Sequence, residues 1–179
     1  MTIQIGFDPS SPLTSAENIA SGKGWGLGDL ATDRNGNEWV FVQAGVAIPQ
    51  NNVVRVLASG TAAPWTSAGQ LGTAGGIKCN AISASASIAL DSYGWVMTKC
   101  RKAGDAAVKV IASSTGTIAP TSRLYAAASA NAGLVTVTAS TVNFALIGLR
   151  IVATATTSTT GSAVPVVFFN GIEQSSADE

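Results

Sequence analysis

The side chains that most often carry out catalysis are scarce in this chain, and histidine is absent. Ser-His-Asp and Cys-His nucleophilic sites both need an imidazole base, so the composition excludes them. It also excludes zinc sites that contain histidine, and the two cysteines, Cys79 and Cys100, are too few for a four-thiolate site. A Ser–Lys pair remains open, but Ser83, Ser85 and Ser87 alternate as the polar face of a strand does.

The acidic and glycine-rich segments offer little more chemistry. Segment 33–38 has Asp, Asn and Asn at alternate positions, as in the first half of an EF-hand calcium loop. That loop needs glycine at its sixth position and a bidentate glutamate at its twelfth, where this chain has Glu38 and Ala44. Asn35-Gly36 favours a hairpin turn instead, and the glycine-rich run at 21–28 lacks the spacing of phosphate loops. We therefore predict no catalytic residues, no metal and no cofactor.

The charge content limits the partners that the surface can bind. Charged residues make up only 11% of the 179 residues and hydrophobic residues 46%, with ten basic and ten acidic side chains in balance. A neutral surface does not repel copies of itself. Nucleic-acid binding would need a larger cluster of basic side chains than Lys99, Arg101 and Lys102 provide. No membrane span is predicted, because Arg150 interrupts the most apolar stretch, and no N-terminal signal is expected.

The elements that could position any site are short strands. About ten apolar or alternating runs are separated by Gly, Pro, Asn or Asp, and no helix of twelve residues is predicted. The sequence therefore predicts an all-β fold, an antiparallel β-sandwich or barrel that is jelly-roll-like, with an extended N-terminal arm. The predicted strands are 38–43, 53–57, 77–82, 87–90, 94–99, 106–111, 123–127, 134–138, 145–151 and 164–169, with residues 58–77 as a long loop.

The chain is expected to divide into three parts. Residues 1–32 are predicted to be a largely extended arm, residues 33–170 the β-domain, and residues 171–179 a polar C-terminal tail. In the arm, Pro9 and Pro12 disfavour helix, and glycine at every second position of 22–28 leaves isolated apolar residues between. Such a segment gains order by lying on a neighbouring molecule.

The four tryptophans fall into two pairs. Trp39 and Trp95 lie in strand patterns and are predicted to be core residues. Trp25 and Trp65 lie in glycine-rich segments, so their burial needs either a partner or a folded-back loop. Aromatic residues in such places often anchor protein interfaces, and they could instead stack on sugars.

Several segments of the β-domain have a recognisable pattern. They are 33–44, followed by Ile48-Pro49; 88–96, with its Gly-Trp-Val; 118–125, with a turn and then Leu-Tyr; and 145–149, with the closing 164–168. Together these segments resemble the decoration (cement) proteins of tailed-bacteriophage capsids. The resemblance implies a β-rich viral structural protein that performs no catalysis and binds the outer face of an assembled shell, often as a trimer at local three-fold positions.

From this resemblance we expect the major capsid protein and further copies of the chain, as a homotrimer, to be the partners. Neither nucleic acid nor membrane is expected to bind. The protein would be made in the host cytoplasm and then lie on the outer capsid surface of the virion. The predicted capsid or inter-subunit contacts are Phe7, Leu13, Ile19, Trp25, Leu27 and Trp65. The alternatives are a head-fibre or tail component, and a carbohydrate-binding adhesion module that uses Trp25 or Trp65.

Overall fold

The computed structural model describes residues 8–14, 25–65, 77–100, 108–113, 116–127, 131–138, 145–152, 155–157, 161–167 and 172–175. Within these residues the protein is all-β, as predicted, and contains no α-helix. None of the described elements is a helix long and apolar enough to cross a membrane. The strands are β1 Leu30–Thr32, β2 Glu38–Ala44, β3 Val53–Leu57, β4 Thr61–Pro64, β5 Ile77–Ile82, β6 Tyr93–Lys99, β7 Lys109–Ile111, β8 Gly116–Ile118, β9 Tyr125–Ala126, β10 Val135–Thr136, β11 Ala145–Ile147, β12 Arg150–Ile151, β13 Ala155–Thr157, β14 Ala163–Val167 and β15 Glu173–Ser175.

The first six strands form a closed barrel. Their order is β1-β2-β4-β3-β5-β6, and β6 pairs back onto β2 along six residue positions. Five strands close the ring, while β1 lies beside the first half of β2 and so remains an edge strand. The β2–β4 pair is parallel, and the other pairs of the barrel are antiparallel.

Small side chains fill the barrel because a ring of five strands encloses little space. Alternate residues of each strand point inward, so β2 contributes Val40, Val42 and Ala44 while its odd-numbered residues face outward. Gly94 leaves room at one end, where a Cβ would lie 2.7 Å from Cδ1 of Ile88. The interior cluster is Val40, Val42, Ala44, Ile48, Val54, Val56, Ala62, Ala81, Ile88 and Val96.

The outer face of the barrel carries the large side chains and is covered by the second half of the chain. Trp39, Phe41, Trp65, Trp95 and Met97 belong to one buried cluster with residues from the later strands. Those strands form three small sheets, ordered β10-β9-β11-β15, β12-β14-β7 and β13-β8. The prediction that Trp39 and Trp95 are core residues is confirmed, with exposures of 2% and 5%.

The β-structure extends beyond both boundaries predicted for it. Strand β1 lies inside the range assigned to the arm, and β15 lies inside the range assigned to the tail, where it pairs with β11. Ile172 is buried, and its carbonyl accepts a hydrogen bond of 2.9 Å from Nδ2 of Asn80 in β5. Residues 30–32 and 172–175 are therefore part of the β-fold.

Three predicted elements between these boundaries differ from the structure. The predicted loop at 58–77 contains β4, whose Thr61 and Ala62 pair with β2. The predicted strand at 87–90 is reduced to one bridge between Ile88 and Ile48. The predicted strand at 145–151 is divided into β11 and β12 by a turn in which Gly148 has φ of 89°.

Candidate interaction surfaces

An aromatic strip lies on the outer face of β2 and β6. Phe41 stacks on Tyr93 with ring centroids 6.0 Å apart, and it meets Trp95 at 5.1 Å. Trp25, from the segment before β1, packs edge-on against Trp95 at 5.1 Å. Trp25 and Tyr93 are half-buried, whereas Phe41 and Trp95 are buried. In this chain the Trp25 ring therefore packs against the barrel of its own molecule.

The N-terminal segment 8–14 also lies on this strip. Leu13 and Tyr93 exchange both main-chain hydrogen bonds, of 2.8 and 2.7 Å, as an isolated antiparallel bridge. The Asp8 carboxylate accepts from the amide and hydroxyl of Ser10 and from the hydroxyl of Ser11, which fixes a turn around Pro9. Leu13, predicted to contact another molecule, thus has a contact within its own chain.

Leu27 and Leu30 are exposed apolar residues in the described part of the segment predicted to be the arm. Leu27 is 42% exposed and lies against Gly60, and Leu30 in β1 is 61% exposed. The turn before β1 is closed by Asp29, whose carboxylate accepts from the Gly26 amide at 2.8 Å. Among the described strands, β2 alone pairs with β1, so the other edge of β1 carries main-chain groups available to a further strand.

Trp65 is not a surface residue, and the prediction that it contacts a partner does not fit its burial. Its side chain is 1% exposed, which makes it one of the largest fully buried groups. Its amide donates to the Val53 carbonyl at 2.9 Å, and its carbonyl accepts from the Gly133 amide at 2.6 Å. These bonds hold the ring between the barrel and the second half of the chain. Phe7 and Ile19, the remaining predicted contacts, lie outside the described residues.

The calcium-like segment 33–38 is a hairpin turn, as predicted. Gly36, with φ of 81°, donates its amide to the Asp33 carbonyl. One oxygen of the Asp33 carboxylate accepts from the amides of Asn35 and Asn37, and the other accepts from Nδ2 of Asn37 and Nε1 of Trp39. Four donors occupy this carboxylate, so a cation would have to displace them.

A second exposed apolar pair lies at one end of the barrel. The main-chain pairing of β2 and β6 continues through Ala44–Ser92 to the bridge between Ile48 and Ile88. The two segments between these contacts carry Val46, which is 49% exposed, and Leu90, which is 56% exposed. Neither residue was singled out from the sequence, because Val46 lies in a short turn and Leu90 was placed in the predicted strand 87–90.

Two clefts lie among the described residues. A cleft of about 600 Å³ between the barrel and the later strands is lined by apolar side chains, amides and glycine, including Val46, Pro49, Gln50 and Leu134. Both Gln50 amide hydrogens are directed to the carbonyls of Ala84 and Ser85. A smaller cleft of about 200 Å³ borders the Asp33 turn. In the part of the chain that the structure describes, no three Cys, Asp or Glu residues converge as metal ligands.

Comparison with known proteins adds no assignment. No family model, curated protein or solved structure matches the chain. The candidate sites are therefore defined by the chemistry of the exposed surface, namely Leu30 in β1 with Leu27 before it, and the barrel-end pair of Val46 and Leu90.

Proposed function

We propose that this protein is a structural component of a virus particle, which binds the outside of an assembled tailed-phage capsid as a homotrimer and stabilises the shell. The observation that carries the proposal is the open edge of β1, with exposed Leu30 on the strand and exposed Leu27 in the turn before it. Leu27 and Leu30 are 42% and 61% exposed, and no other described strand covers that edge.

An edge of this kind suits attachment to another protein. Unpaired main-chain groups on an edge strand are a template for strand addition, and soluble proteins commonly protect such edges with charge or proline. At this edge the exposed side chains are leucines instead of charged residues or proline. The chain also carries no net charge that would repel identical neighbours. A trimer that contacts several shell subunits needs only modest affinity at each contact, because its contacts act together.

The aromatic side chains favour this proposal over the carbohydrate-binding alternative. Sugar stacking needs the exposed face of an aromatic ring, but Trp65 is 1% exposed and Trp25 packs against Trp95. The head-fibre or tail alternative uses the same kind of surface, and electron microscopy of particles would separate it by location.

The first experiment is cosedimentation of the purified protein with assembled capsids that lack it, together with light scattering on the free protein. Saturable binding and a trimer mass would support the proposal. If the protein does not bind capsids, the decoration role is wrong, and labelling of whole particles would then test the fibre and tail locations.

A pair of double variants tests the β1 surface. Leu27→Ser with Leu30→Ser removes the two exposed leucines in and before β1. Ile147→Ser with Val152→Ser is the matched control, because those residues, in β11 and directly after β12, are 46% and 38% exposed. Burying the exposed parts of Leu27 and Leu30 in an interface contributes about 2 kcal/mol. Capsid affinity should therefore fall by about thirtyfold per site in the first variant alone. If the two variants bind capsids equally well, β1 is not part of the capsid interface. This comparison requires that both variants have the same denaturant midpoint as the wild type.

A further inference from the structure

The main-chain groups of β1 alternate between β2 and the open edge. The Asp29 carbonyl accepts a hydrogen bond of 2.9 Å from Phe41 in β2, and the Asp33 amide donates one of 3.0 Å to the residue directly before β2. Because successive residues of an antiparallel strand direct these groups to opposite sides, Leu30 and Thr32 direct theirs away from β2. Among the described strands, β2 alone pairs with β1, so two amides and two carbonyls lie at the open edge.

The charged side chains nearest to this edge are turned away from it. Asp29 and Asp33 flank β1, and charged residues in such positions commonly protect an edge strand. The Asp29 carboxylate instead accepts from the Gly26 amide at 2.8 Å, and the Asp33 carboxylate accepts from four donors in and after its own turn. The most exposed apolar side chain at the edge is therefore that of Leu30, without a neighbouring carboxylate directed over it.

The two faces of β1 define what a partner must offer. Ala31 is 3% exposed and belongs to the buried cluster beneath the later strands, whereas Leu30 points to the other face and is 61% exposed. A partner that only packed on Leu30 would bury main-chain donors and acceptors without partners, which is costly. An added strand bonds these groups and places a side chain beside Leu30. That side chain should be uncharged, because a charge buried there would lose its hydration.

We propose that an extended, uncharged segment of a shell subunit adds to the open edge of β1 as a further strand and bonds to the main chain of Leu30 and Thr32. This inference rests on the proposed function, and it names the element through which the shell is bound and the kind of segment that binds there. Two residues offer at most four such hydrogen bonds, so the contact is modest in each copy and depends on several copies acting together.

Hydrogen exchange at single-residue resolution tests the pairing in the wild-type protein. In the free protein, the amides of Leu30 and Thr32 should exchange fast and that of Ala31, which faces β2, should exchange slowly. On capsids, the Leu30 and Thr32 amides should slow by about tenfold or more, while the Ala31 amide changes little. If the Leu30 and Thr32 amides exchange equally fast in the free and the bound protein, the strand addition is wrong.

A proline variant tests the same amides by binding. Thr32→Pro removes one outward amide and no bond to β2, proline is tolerated in edge strands, and Ala31 before it is already extended. Thr32→Ala is the matched control, because it changes the side chain and keeps the amide. Capsid affinity should fall by about tenfold or more for Thr32→Pro and by less than about twofold for Thr32→Ala. Equal affinities would contradict the pairing, and if Thr32→Pro has a lowered denaturant midpoint, the exchange measurement decides.

The two experiments separate this inference from the proposed function. Wild-type protein that binds capsids while its Leu30 and Thr32 amides stay unprotected overturns the strand addition alone. Wild-type protein that does not bind capsids overturns the proposed function and this inference together. Protection of the same two amides in oligomers without capsids would mean that another copy of the chain supplies the strand, which overturns its assignment to the shell.

Discussion

Replacing Asp33 by alanine should destabilise the protein by about 2 kcal/mol. The carboxylate accepts four hydrogen bonds at 2.8 to 3.1 Å, and two of their donors, Nδ2 of Asn37 and Nε1 of Trp39, belong to side chains that are 3% and 2% exposed. A buried donor that loses its acceptor costs about 1–3 kcal/mol. Since the cleft of about 200 Å³ beside the turn can admit water, the lower end of that range applies to each.

Urea unfolding followed by tryptophan fluorescence measures this change, and the corresponding fall in Tm is about 4–8 °C. Asp29→Ala is the matched control, because among the described residues that carboxylate accepts one hydrogen bond, from the exposed amide of Gly26. Its loss should cost less than about 1 kcal/mol. Similar losses for the two variants, or a loss below about 1 kcal/mol for Asp33→Ala, would refute the idea that this carboxylate organises the turn between β1 and β2.

Two further substitutions test the packing between the barrel and the later strands. Trp65→Ala should lower the free energy of unfolding, measured with denaturant, by about 3–5 kcal/mol, since the ring is 1% exposed. Trp25→Ala should lower it clearly less, because Trp25 is half-buried. Equal losses would contradict a core role for Trp65. Gly133→Ala places a Cβ in steric overlap with Nδ2 of Asn52, whereas Gly161→Ala meets nothing within 4 Å although φ is positive at both positions. We therefore expect Gly133→Ala to lower the thermal midpoint further than Gly161→Ala, and the reverse order would refute the close approach.

The strands that could be predicted from the sequence are those whose own residues form a clear hydrophobic pattern. In β2 and β6, β-branched and aromatic residues form continuous apolar runs, because one face fills the barrel and the other packs under the later strands. Strand β4 was missed because its sequence, Thr-Ala-Ala-Pro, has weak strand propensity and follows a glycine. The narrow interior of the barrel favours small residues in β4. That narrowness results from closure of the ring, so the local sequence of β4 does not indicate it.

The interaction residues were less predictable because their roles depend on pairing between distant segments. Trp65 looked like a surface anchor in a glycine-rich loop, but bonds to Val53 and Gly133 bury it. Leu13 looked like a free anchor, but it pairs with Tyr93, eighty residues further along the chain. Period-two patterns locate strands without specifying their partners, so neither contact could be read from the sequence.

The narrow interior of the barrel also limits how this sequence can change over time. Valine and alanine already fill the space, and Val56 lies opposite Ala62 in the pairing of β3 and β4. An added methylene in a filled core costs about 1–3 kcal/mol, so a larger residue at one of these positions needs a smaller one at its neighbour. Variation inside the ring is therefore expected to come as compensating pairs that conserve total volume, whereas exposed positions such as Leu30 and Leu90 can change one residue at a time.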